Sequence, residues 1–130
     1  MNYIKCYIGK SIIPNAGLGL FTAEDVKKGE IVWYNTPESE IIYTEEEFNN
    51  LPLRFKLNIS KYVYKYKGVY HLNLDDSRHY NHSNTPNTEE DSLGNYIASR
   101  DITKDEELTC NYFDFNDDST WIDTLNIKFS

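Results

Sequence analysis

The stretch Arg78-His79-Tyr80-Asn81-His82-Ser83-Asn84-Thr85-Pro86-Asn87 decides how this chain is read. It is too polar for a core strand, and its residue types are too ordered for a random loop. Asn81, His82 and Ser83 place donors and acceptors within one tight turn, and Pro86 stiffens its exit. Taken alone, the segment is more readily read as a structural turn with one satisfied histidine. Arg78 is then a surface cation paired with Asp75 or Asp76.

Three other pieces of the chain shift that balance. Upstream stand Gly17-Leu18-Gly19-Leu20-Phe21 and Val26-Lys27-Lys28-Gly29-Glu30-Ile31. Downstream stand Arg100-Asp101-Ile102 and Glu106-Glu107-Leu108-Thr109-Cys110-Asn111-Tyr112. Each is modest by itself: two nearby glycines usually mean a turn, and Tyr112 alone is an ordinary strand residue. Together and in this order they resemble the SET-domain protein-lysine methyltransferases. Residues 78–87 are similar to that family's R-F-x-N-H-S-C-x-P-N signature, and the glycine pair to its cofactor loop. The last segment is similar to its E-E-L-T-x-D-Y strand.

The resemblance implies a mostly β (α+β) fold of several small sheets around a knot-like core, with a short helical insert. It implies that residues 81–86 and 107–112 meet in that core. It implies S-adenosylmethionine as cofactor, held by Gly17, Leu18, Gly19, Arg78, Tyr80, Asn81 and His82, with His82 acting partly through its main chain. Tyr112 becomes the catalytic tyrosine at the methyl-transfer pore. The implied reaction suits these residue types. Methyl transfer from a sulfonium to an amine is an in-line displacement that needs alignment and an electrostatic setting rather than a metal or a covalent intermediate. Glycine lets backbone approach a cofactor closely, and tyrosine rings favour a cation entering a channel.

The chain departs from the family pattern at three places. Asn84 stands where the family has a cysteine after N-H-S, and no cysteine-rich tail follows, so no zinc site is expected. The lysine channel must then close without metal, and Phe113, Phe115 and Trp121 are the expected walls. Asn111 replaces the acid before Tyr112. Cys110 occupies the position two residues before Tyr112, where a ring often limits how many methyl groups fit, and so belongs to the expected substrate channel.

The bulk properties agree. At 130 residues the chain has the size of one domain, read here as 1–130. Its net charge of -8 disfavours phosphate binding and so direct nucleic-acid binding, and it favours a basic, lysine-containing protein or peptide partner. The two cysteines make no disulfide framework, and no apolar run is long enough to cross a membrane, so a soluble intracellular protein is expected. Stand-alone chains this short resemble bacterial or viral members, and small members can dimerise to complete the substrate groove. The competing reading is a non-catalytic module that keeps the fold and an acidic groove. A site built from His71, His79 and His82 is weaker, because no Glu or Cys stands at ligand spacing.

Local patterning predicts strands at 3–8, 12–13, 31–34, 40–43, 68–74, 95–99 and 107–111, with a short extended piece at 20–23. Thr44-Glu45-Glu46-Glu47 fits a capping box, and Phe48, Leu51, Phe55, Ile59 and Tyr62 follow at helical spacing. Pro52 predicts a break in that helix.

Overall fold

Short strands carry most of the ordered chain, as the many brief apolar runs predict. The computed structural model describes residues 1–60 and 62–112. Strands β1 (Cys6–Lys10) and β2 (Leu18–Thr22) form an antiparallel pair in which Gly9 faces Gly19. β3 (Ile31–Trp33) leads through a 3₁₀ turn at Pro37–Ser39 into β4 (Glu40–Tyr43). Helices α1 (Glu45–Asn49) and α2 (Leu53–Ile59) follow. β5 (Val63–Tyr66) and β6 (Val69–Asn73) complete a three-stranded antiparallel sheet in the order β4-β6-β5. A second 3₁₀ turn, Asp76–His79, delivers the chain to β7 (Asn81–His82). β8 (Thr88–Glu90) and β9 (Tyr96–Ala98) join β3 in the order β3-β9-β8, and β10 (Thr109–Cys110) runs parallel to β7.

The helical insert shows how local signals and packing divide the work. The Thr44 side chain accepts from the Glu47 N–H, and the Glu47 carboxylate accepts from the Thr44 N–H, so the capping box forms as predicted. Pro52 separates α1 from α2 because it lacks the donor a continuous helix needs. The helical spacing, however, overreaches at both ends of α2. Phe55 is 41% exposed, and the helix stops at Ile59, so that Tyr62 leads into a strand. Val63, Tyr64 and Tyr66 are β-favouring residues facing β6, and sheet pairing overrides the periodicity.

Other expectations also shift. The first strand begins at Cys6 rather than Tyr3, Ile12 and Ile13 lie in a bend, and no local pattern signals β5, β7 and β8. β7 is too short and polar to show an apolar period, and its partner strand lies far along the chain.

Two apolar clusters hold the sheets. Leu20, Val26, Val32, Ala98, Ile102 and Leu108 are at most 2% exposed and form the main core, joined by Tyr80 and Cys110. Phe48, Val63, Tyr70 and Leu72 make a second cluster under the helices. Phe48 stacks on Tyr70 with ring centroids 3.9 Å apart. The motif around Gly29 has a packing role in this frame. Val26 and Ile102 exchange both backbone hydrogen bonds, at 2.8 and 2.7 Å, and the Lys28 N–H donates to Asp101. Among the described residues no helix is long and apolar enough to cross a membrane.

Candidate active site

The site begins where β2 runs beside residues 106–108. Leu108 N–H donates to the Leu20 carbonyl and Thr22 N–H to that of Glu106, which lays Glu107 against Gly19. Glu107 is 7% exposed, and its carboxylate collects three donors from two segments. Ser11 Oγ lies 2.9 and 2.8 Å from its two oxygens, Ile12 N–H donates at 3.1 Å, and Asn81 Nδ2 donates at 2.9 Å. Asn81 Nδ2 also donates to the Leu18 carbonyl at 2.9 Å. One buried carboxylate therefore ties the glycine loop to the Asn81 turn. The sequence reading placed Glu107 inside a motif but gave it no role, because its partners lie up to 96 positions away.

Asn87 makes a second tie. It is 2% exposed, its Nδ2 donates to the Glu107 carbonyl, and its Oδ1 accepts from Thr109 N–H. The side-chain amide thus pairs with the strand as another strand's backbone would. Thr88 Oγ1 adds a bond to the Thr109 carbonyl at 2.7 Å. With β7 parallel to β10 and Ser83 N–H on the Cys110 carbonyl, residues 81–88 and 107–112 lie side by side.

This pairing brings Tyr112 to its place. Its N–H donates to His82 Nδ1 at 3.1 Å, and its hydroxyl donates to the Tyr80 carbonyl in a short hydrogen bond. His82 Nε2 lies 2.9 Å from Asn84 Oδ1. A ring nitrogen that accepts at Nδ1 carries its proton at Nε2, so the two contacts select one tautomer. Asn84, at the position of the family's cysteine, thus orients His82. Burial, followed by the neighbouring Cys110 and Glu107, pushes the Tyr112 phenol well above its ordinary pKa. It stays protonated and spends its proton on Tyr80.

The proposed cofactor residues differ in their surroundings. Gly17 and Leu18 are exposed, Gly17 has φ +76, and a Cβ built on it would meet nothing within 4 Å. Arg78 is exposed, with its guanidinium 4.9 Å from the Tyr62 ring centroid. Asp75 takes its bonds from Asn2 and Ser77 instead of Arg78. Asn81 and His82 are half-buried. Tyr80 differs from these: its ring is buried in the core, and its hydroxyl has no hydrogen-bond partner among the described residues.

A cavity of about 270 Å³ has walls that include Trp33, Tyr62, Tyr64, Tyr80, Cys110 and Tyr112. Cys110, expected in the substrate channel, is 4% exposed and lines it. Phe113, Phe115 and Trp121 lie outside the described residues. The cavity also takes in Glu40, His71 and Tyr64, which no motif signalled, because strand register alone assembles them.

The profile of the SET-domain family matches residues 17–113. No curated protein matches the chain. A Plasmodium falciparum protein provisionally assigned as a histone methyltransferase is similar in structure, at 32% identity and TM-score 0.56, over 84% of this chain and 93% of that one. The polycomb repressive complex 2 of Chaetomium thermophilum bound to the inhibitor GSK126 is similar at 26% identity and TM-score 0.68, over 91% of this chain. That complex, autoinhibited and bound to S-adenosylmethionine, matches at 22% identity and TM-score 0.67, a likeness of fold. The chain spans 17% of the length of the polycomb chains it matches. The glycine loop, the Asn81–Asn87 segment and the strand ending at Tyr112 all fall within the matched span, and the chain belongs to the SET-domain family.

Proposed function

We propose that this chain, as one SET domain over residues 1–130, transfers methyl groups from S-adenosylmethionine to lysine side chains of a protein substrate. The observation that carries the reading is that Tyr112 lines an aromatic cavity, with its hydroxyl committed to the Tyr80 carbonyl and its N–H to His82. The open face at Gly17 and the exposed Arg78 beside Asn81 and His82 fit the cofactor. Gly17, Leu18 and Gly19 would hold it by close backbone approach, Arg78 would meet its carboxylate, and Asn81 with His82 its polar groups. When bound, S-adenosylmethionine supplies an electrophilic methyl group and a positive charge.

The chain's own residues do the rest. A lysine amine must lose its proton, against an ordinary pKa near 10.4. The aromatic walls strip water from the amine and so favour its neutral form. The Tyr112 oxygen, with its proton already donated, can only accept there, so it orients an amine N–H or a polarised methyl C–H. The cavity walls hold the amine in line, which lowers the entropic part of the barrier. The net charge of -8 draws a basic segment toward the site and repels nucleic acid.

The test is label transfer from radioactive S-adenosylmethionine to histones and mixed cellular protein, with calorimetric cofactor titration alongside. Wild-type protein labels lysines, and Tyr112→Phe binds cofactor as before but transfers about 100-fold more slowly. Cofactor binding with no transfer to any protein would favour the non-catalytic module instead.

A further inference from the structure

Part of the cavity wall is built by β4, β5 and β6. Glu40 lies there with its side chain 8% exposed. Its Oε1 is 3.0 Å from His71 Nδ1, and its Oε2 accepts from the Tyr64 hydroxyl at 3.3 Å. The Tyr64 and His71 rings stack with centroids 4.8 Å apart and planes 4° from parallel. Strand register accounts for the cluster, since Tyr64 and His71 are direct partners and Glu40 sits diagonally from His71 on the other side. Burial, then the Glu40 charge, pushes the Tyr64 phenol up, so it remains a donor.

The cluster leaves acceptors over. A carboxylate offers about four lone-pair positions, and His71 and Tyr64 take two. Asn73, the register partner of Glu40, lines the cavity with its Oδ1 buried and without a hydrogen-bond partner among the described residues. Tyr80, another wall residue, is only 9% exposed, and its hydroxyl is buried and equally unpartnered. Glu90 contributes a second carboxylate, and among the described residues no Lys or Arg lines the space. Buried polar atoms in native structures find partners, so the Asn73 oxygen points to a donor brought from outside. A group with several N–H donors, positive charge and a planar face suits a carboxylate, an amide oxygen and the rings of Trp33 and Tyr66.

We propose that this corner is a subsite for a second basic side chain of the protein substrate, an arginine close in sequence to the methylated lysine. It rests on the methyltransferase reading of Tyr112. The step is recognition only: the guanidinium donates to Glu40 and Asn73, and no bond is made or broken.

The test uses the whole chain and pairs of peptides, each with one lysine and one arginine walked through the flanking positions. In each partner peptide citrulline, which is neutral and of the same shape, replaces the arginine. Binding is read by fluorescence anisotropy, and methyl transfer is read separately. At one position the arginine peptide binds wild type about tenfold tighter than its citrulline twin. Glu40→Gln brings the two together. Equal binding of every pair to wild type, at whatever affinity, overturns the subsite, and this comparison stands if the variant fails to fold. A difference that survives in folded Glu40→Gln places the arginine elsewhere and also overturns it. Failure of the methyltransferase reading looks different: the arginine preference persists while no lysine is labelled.

Discussion

A Cβ on Gly19 would stand 2.5 Å from Glu107 Oε2 and 3.2 Å from Asn81 Nδ2, so the absence of a side chain is what lets β2 lie against the buried carboxylate. Gly17, two residues earlier, is needed for another reason: its φ of +76 is costly for an L-residue, while the space around it is open. The two alanine variants should therefore differ. Gly17→Ala carries a left-handed backbone cost of about 1 kcal/mol. Gly19→Ala forces Glu107 and Asn81 apart and costs about 1–3 kcal/mol from overpacking, with a larger loss of cofactor affinity. Thermal unfolding and cofactor titration of both variants check this, and equal losses would show that contact with Glu107 is not what demands glycine at 19.

At the scale of elements, α1 is marked by its cap and held by its packing. A five-residue helix is too short to be stable alone, so its stability comes from what it covers. Thr44→Ala removes one side of the capping box and should cost about 1 kcal/mol. Phe48→Ala removes a ring 2% exposed and stacked on Tyr70, and should cost about 3–5 kcal/mol. Denaturant titration of the two variants measures the order. The sheet beneath follows the same logic. Along β6, Tyr70 and Leu72 turn into the cluster while His71 and Asn73 turn to the cavity, so strand alternation builds core and subsite at once.

Across the whole molecule, tyrosine chemistry links stability to pH. Burial pushes the phenols of Tyr64, Tyr80 and Tyr112 above their ordinary value of 10.0. A raised value means that the folded state holds the proton more tightly than the unfolded chain. The stability this brings is complete below pH 10 and is lost as pH rises beyond it. An alkaline titration followed by tyrosinate absorbance should show exposed tyrosines ionising first. The signal from these three, out of eleven in the chain, should come only with loss of near-ultraviolet circular dichroism. A single wave near pH 10 with the fold intact would contradict this.

Much of the fold was legible in local sequence, because its signals act over a few residues. The capping box at Thr44, the break at Pro52, β4 over residues 40–43 and the turn at Gly29 each follow from backbone chemistry close at hand. The motif order was enough to identify the family. Other features could not be read that way, because they depend on contacts between distant segments. β7 is a strand only because β10 lies beside it, and Glu107 is a clamp only because Ser11, Gly19 and Asn81 converge on it. Glu40, His71 and Tyr64 carry no motif at all; the register of three strands brings them to one wall. Sequence determined which residues could do chemistry, and tertiary structure decided which of them meet, since a buried hydrogen bond exists only where packing has already placed both partners.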